Sequence, residues 1–156
     1  MTAAVDARYW EDLPAGAEID LGSTTVLEQE VLEFGRRYDP QLFHTDAEAA
    51  ADSRFGGLIA SGWHTAGMYM YLLATVGGVV GAGSPGVDEL RWPRPVRPGD
   101  TLSARMRVVS SRASRSRPDI GVVQWQATMH NQRGEGVLSF MATSLVQRRS
   151  PSTAAN

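Results

Sequence analysis

From residue 55 to residue 87 the chain carries no Asp, Glu, Lys or Arg. A run of that length must be shielded from water by lipid or by the rest of the protein. His64, the many glycines and the Gly77-Gly78 break interrupt it, so a helix buried on all sides by protein explains it better than a membrane span. Ser61-Gly62 supplies an N-cap and first turn after the Phe55-Gly56-Gly57 break, which places the helix at residues 62–76. At about 1.5 Å per residue it extends about 22 Å, a length suited to the core of a wrapped sheet.

The strands of that sheet lie on both sides of the run. Residues 88–92, 101–110, 121–131 and 136–148 alternate or are β-branched, with breaks at Arg97-Pro98-Gly99-Asp100, at the Ser-rich segment 111–118 and at 131–135. With residues 18–27 as an earlier strand, the pattern is α+β, an antiparallel sheet wrapped on one long helix. No repeat or linker divides the chain, and 156 residues suit one domain, taken as 1–149 with a small, polar, disordered tail at 150–156. Residues 10–16 read as an ordered lead-in to the first strand.

Charge and cysteine usage narrow the function classes. Residues 1–78 hold four arginines against twelve acids, and residues 79–156 hold eleven arginines against five. In one compact domain the two halves neutralise each other across the fold or between subunits; the competing reading is a basic rim for the phosphates of a ligand. Arg105 and Arg107 alternate with Ala104, Met106 and Val108 as the solvated face of a strand. Arg112, Arg115 and Arg117 sit in a Ser-rich turn and fit either reading. Aromatic residues are not interleaved with the basic ones, so no nucleic-acid partner is expected. The chain has no cysteine, which excludes a disulfide framework and a cysteine nucleophile or metal site. Residues 1–8 lack the apolar core of a signal peptide, and a cytoplasmic location is expected.

The chemistry concentrates between Tyr38 and Thr65. Residues 27–37 carry apolar side chains near helical spacing, and Pro40 disfavours helix at Asp39, which therefore stands at a helix exit. His44 follows in what reads as a loop, just before a short alanine-rich helix over 46–52 opened by a Thr45/Glu48 capping box. A carboxylate, an imidazole and the free N–H groups near Gly62 supply a base, an acid and an oxyanion site. His64 reads as a packed or surface histidine of the helix, and His130 as solvated beside a turn.

This pattern resembles the MaoC-like dehydratases, or (R)-specific enoyl-CoA hydratases, of the hot-dog fold. The family runs Asp-x-Asn-Pro-x-His, then an Asp-containing short helix, a Gly-Gly loop and Ile-Ala-His-Gly at the central helix. This chain has Asp39-Pro40-Gln41-Leu42-Phe43-His44, Asp46, Gly56-Gly57 and Ile59-Ala60-Ser61-Gly62. Residues 94–102 (RPVRPGDTL) look like the strand-turn-strand that follows the family's central helix, and the resemblance runs from about residue 17 to 146. Gln41 replaces Asn, Leu42 replaces Pro and Ser61 replaces His.

The resemblance implies a hot-dog fold and hydration of a trans-2-enoyl thioester to the (R)-3-hydroxyacyl thioester. Asp39 and His44 would activate a water, and the Gly62 N–H would stabilise the enolate. Phe43, Ser61 and Trp63 are assigned to substrate binding. Coenzyme A, or an acyl carrier, would arrive as part of the substrate, with no separate cofactor or metal and no membrane partner. A homodimer or dimer-based oligomer with a continuous sheet is implied. An acyl-CoA thioesterase on the same fold and a non-catalytic acyl-CoA-binding subunit are the alternatives.

Overall fold

The computed structural model describes residues 6–149, so the expected tail at 150–156 lies outside the described residues. The chain runs through a 3-10 turn at Trp10–Asp12, β1 (Glu18–Thr25), α1 (Glu28–Tyr38), α2 (Leu42–Thr45), α3 (Ala47–Ala51), α4 (Gly62–Thr75), β2 (Gly81–Arg91), β3 (Thr101–Ala113), β4 (Ile120–His130) and β5 (Gly136–Gln147). The sheet order is β1-β3-β4-β5-β2, and every neighbouring pair is antiparallel. The chain leaves β1 at one edge, builds its α-helices, and returns as β2 at the other edge.

One face of the sheet forms the core. In β3, Leu102, Ala104, Met106 and Val108 point inward while Ser103, Arg105 and Arg107 stay outside. Against this face lies α4. The Tyr69 ring stacks on Trp125 at 6.0 Å and meets Phe140 edge-on at 5.3 Å. Burial pushes the Tyr69 phenol pKa upward, so the hydroxyl keeps its proton and donates to the Arg105 carbonyl at 2.9 Å. Each large apolar side chain so buried contributes about 1.5–3 kcal/mol.

Three expectations need correction. Helix α4 is not buried all round: Trp63, Met70 and Tyr71 are 60%, 50% and 64% exposed, because the sheet and α1 cover only part of its circumference. The second strand begins at Gly81 rather than at residue 88. Its early glycines conceal it, and it is an exposed edge strand with three register shifts and Glu89 at φ 54°. Helix α3 is capped by Asp46, whose Oδ1 accepts from the Glu48 and Ala49 N–H groups at 2.9 and 3.0 Å. The Thr45 hydroxyl instead donates back to the Gln41 carbonyl at 3.1 Å.

The charge asymmetry is partly cancelled within the fold. Arg149, Arg148 and Arg107 pair with Asp12, Glu11 and Glu18. The Arg148 guanidinium also lies over the Trp10 ring at 4.7 Å, and Arg149 over Tyr9 at 5.2 Å. Gly121 leaves room for the Trp10 ring, since a Cβ there would come within 1.9 Å of it. The result is a clasp joining the entry into the sheet to its last strand.

Candidate active site

Helix α1 ends where Pro40 forbids its continuation, with Asp39 as C-cap donating its N–H to the Gly35 carbonyl at 2.9 Å. The chain then forms the single turn α2, so His44 is held in helix rather than in the expected loop. Gly35 allows this turn to press against α1. A Cβ at that position would come within 2.5 Å of the His44 carbonyl oxygen.

His44 is buried at 4% exposure, and its Nδ1 lies 2.8 Å from the Ile59 carbonyl oxygen. A carbonyl can only accept, so Nδ1 carries the hydrogen and Nε2 is left to face the site. Nε2 lies 3.3 Å from Asp39 Oδ2. The Asp39 side chain is 20% exposed. Gln41 Nε2 donates to its Oδ1 at 2.8 Å and Ser61 Oγ to its Oδ2 at 2.8 Å. Burial alone would raise the Asp39 pKa, but these two donors, with a smaller contribution from the neighbouring imidazole, outweigh it and hold the carboxyl below its usual range.

Ser61 N-caps α4, accepting from the Trp63 N–H at 3.2 Å. Gly62 follows in the first turn, where amides have no intrahelical acceptor and the helix dipole is positive. Trp92 packs so close that a Cβ at Gly62 would fall within 2.5 Å of its ring. A cavity of about 390 Å³ opens here, lined in part by Phe43, His44, Phe55, Gly62 and Trp92.

A larger hollow of about 660 Å³ between α1 and α4 is lined by Phe34, His64 and Tyr71 among others, but not by His44 or Gly62. The smaller cavity is therefore the candidate site. Of the residues assigned from sequence, Phe43, His44 and Gly62 line it, whereas Asp39 and Ser61 do not: Asp39 meets the cavity's His44 at Nε2, and the Ser61 hydroxyl turns to Asp39. Trp63 points outward and packs edge-on against Trp92 at 5.2 Å, outside the cavity lining. His64 stacks on Phe34 at 5.0 Å as a packed residue, with Nδ1 buried and without a hydrogen-bond partner among the described residues. Burial lowers its pKa, with Glu30 opposing. Sequence reasoning missed Gly35, Gln41 as a donor to Asp39, the Ile59 carbonyl and Trp92. A glycine inside an amphipathic helix was the one available signal, at Gly35.

The family model for the MaoC like domain matches residues 12–129. This chain belongs to the MaoC-like family. A crystal structure of a MaoC-like dehydratase from Rhodospirillum rubrum is 43% identical, with a TM-score of 0.82 over 92% of this chain and 99% of that one. The mesaconyl-CoA hydratase of Haloarcula marismortui is 34% identical over 89 residues, covering 52% of this chain and only 25% of that protein. The R-hydratase PhaJ1 of Pseudomonas aeruginosa shares the fold at 23% identity, with a TM-score of 0.73 over 92% of this chain and 88% of that one. The α+β arrangement of this MaoC-like chain, an antiparallel sheet against one long helix, is the hot-dog fold. Among the described residues no helix is long and apolar enough to cross a membrane.

Proposed function

We propose that this MaoC-like chain hydrates a trans-2-enoyl thioester to the (R)-3-hydroxyacyl thioester and catalyses the reverse dehydration. One observation carries the reading. With its Nδ1 hydrogen committed to Ile59, neutral His44 presents the Nε2 lone pair beside the Asp39 carboxylate, 3.3 Å away. Two acceptors side by side call for a donor with two O–H groups, which a water molecule supplies. The hydratases among its relatives support the same class of reaction.

In the forward direction the water oxygen bonds to Cβ as Asp39 draws off its proton, with His44 orienting the water. The π electrons move toward the thioester oxygen, where the Gly62 N–H at the start of α4 meets the developing charge. The Asp39–His44 pair then relays one proton to Cα, so that H and OH have been added and the pair is restored. Coenzyme A enters as part of the substrate. The exposed edge strand β2 and the exposed Trp63, Met70 and Tyr71 on α4 support a homodimer with its sheet continued across β2.

Loss of enoyl ultraviolet absorbance across short, medium and long trans-2-enoyl-CoA thioesters tests the proposal, with chiral analysis of the product. Asp39→Asn and His44→Ala should each lower turnover on the order of 10²- to 10⁴-fold. Unchanged turnover in either variant would remove that residue from the mechanism. Thiol release without loss of the double bond would replace hydration by thioester hydrolysis.

A further inference from the structure

We propose that Arg54 and Arg94 form a phosphate seat at the mouth of the catalytic cavity, receiving the phosphate at the far end of a pantetheine arm. This rests on the hydratase reading, because a thioester held at Gly62 must send everything attached to its sulfur out through that mouth. The arm itself is neutral amide and methylene, and its first charged group is a phosphate.

The electrostatics of the two hollows differ. Arg54 and Arg94 both line the catalytic cavity, and no Asp or Glu does. The larger hollow sets Glu30 and Glu33 against Arg37. Two like charges beside low-dielectric walls focus a positive potential, to which the N-terminus of α4 adds. The cavity is thus the hollow suited to an anion.

Each arginine has donors to offer. The Arg54 guanidinium lies over the Phe55 ring at 4.7 Å, which sets its plane, and it has no ion pair among the described residues. Arg94 is 59% exposed and reaches Glu135 with one nitrogen at 3.2 Å. Glu135 is already engaged by Arg133 at 2.6 Å and by Asn131 at 3.1 Å. A guanidinium has five N–H donors, so most of those on Arg94 remain free, and an exposed ion pair of this kind is held weakly. The nearby Arg97 is differently placed. It donates to the Phe55 carbonyl and stands against Gly57, fixing the turn that presents Arg54. Trp92, 39% exposed and packed on Trp63, provides an apolar wall along which the neutral part of the arm can lie. Guanidinium forks match phosphate geometry, and all fifteen basic residues of this chain are arginines.

A diphosphate of coenzyme A and the phosphodiester of an acyl carrier share this chemistry at the same end of the arm. The test compares KM for crotonyl thioesters of pantetheine, of 4′-phosphopantetheine and of coenzyme A, in the wild type, in Arg54→Gln/Arg94→Gln and in the surface control Arg115→Gln. The wild type and the control should show a KM at least about tenfold lower for both phosphorylated thioesters than for the pantetheine thioester. The double variant should erase that difference. Equal KM for all three in the wild type, a preference confined to coenzyme A, or a preference surviving in the double variant would overturn the seat. A crotonyl acyl-carrier thioester run alongside identifies the source: dependence of its KM on the two arginines assigns the seat to the carrier as well. Calorimetric binding of 4′-phosphopantetheine, weakened in the double variant, supports the seat without any turnover. Binding retained with no hydration of any thioester would sink only the proposed chemistry, whereas hydration without phosphate preference would sink only the seat.

Discussion

Ser61 donates its hydroxyl hydrogen to Asp39 Oδ2 at 2.8 Å while accepting from the Trp63 N–H at 3.2 Å, so one side chain both starts α4 and holds the carboxylate of the site. Ser61→Ala should therefore have two separable effects. Loss of the cap costs about 1 kcal/mol of stability, read as a lower Tm. Loss of a donor lets the Asp39 pKa climb back toward its ordinary value, so the acid limb of the rate profile moves to higher pH. Ser61→Thr keeps a hydroxyl and should restore both. A Tm loss with an unmoved acid limb would mean that the bond to Asp39 has no part in tuning it.

Gly35 and Gly67 both sit inside helices, yet they should respond oppositely to alanine. At Gly35 the new methyl meets the His44 carbonyl, which is backbone and cannot turn aside. Overpacking there should cost about 1–3 kcal/mol and displace α2, lowering turnover beyond what the unfolded fraction explains. At Gly67 nothing lies within 4 Å, so Gly67→Ala should gain about 0.4–1 kcal/mol by restricting the unfolded chain. Urea unfolding and turnover of the two variants check both signs.

His64 should make stability pH-dependent. Its folded pKa is lowered below 6.5 by burial, so the unfolded chain binds the proton more readily. The stability this represents is present above the unfolded value and is lost as pH falls from 6.5 toward the folded one. Glu30, which opposes the shift, and Glu33 and Arg37, which line the same hollow, remain in the variant. His64→Leu removes the titrating ring and a buried nitrogen that has no partner among the described residues. The Tm of this variant relative to the wild type should rise steadily between pH 7.5 and pH 5; a constant difference would show that His64 stays protonated or solvated.

The parts of the site legible in the sequence are those that end helices. Pro40 after Asp39 and Ser61-Gly62 before the uncharged run mark helix ends by local sterics and capping, which leave a trace in residue type. The sheet's outer face at Arg105 and Arg107 was likewise legible from period-two alternation. The Ile59 carbonyl left no trace, because every residue carries the same acceptor. Trp63, expected to bind substrate, directly follows Gly62, but one residue turns a helix by about 100°, and the two face different ways. The mouth of the cavity joins the turn at Phe55 to the segment after β2, a meeting set by the sheet order rather than by either segment alone. Similarly, the glycines of β2 disguised a strand whose pairing comes from β5.

The clasp of Arg148 and Arg149 over Tyr9, Trp10, Glu11 and Asp12 has a consequence for how this chain can be rearranged. Entry and exit of the domain meet on one spot of its surface, so joining them there and cutting the backbone at a distant turn should leave the sheet order and the candidate cavity in place. The polypeptide is in effect a near-closed ring, and its linear order is incidental to the chemistry it holds.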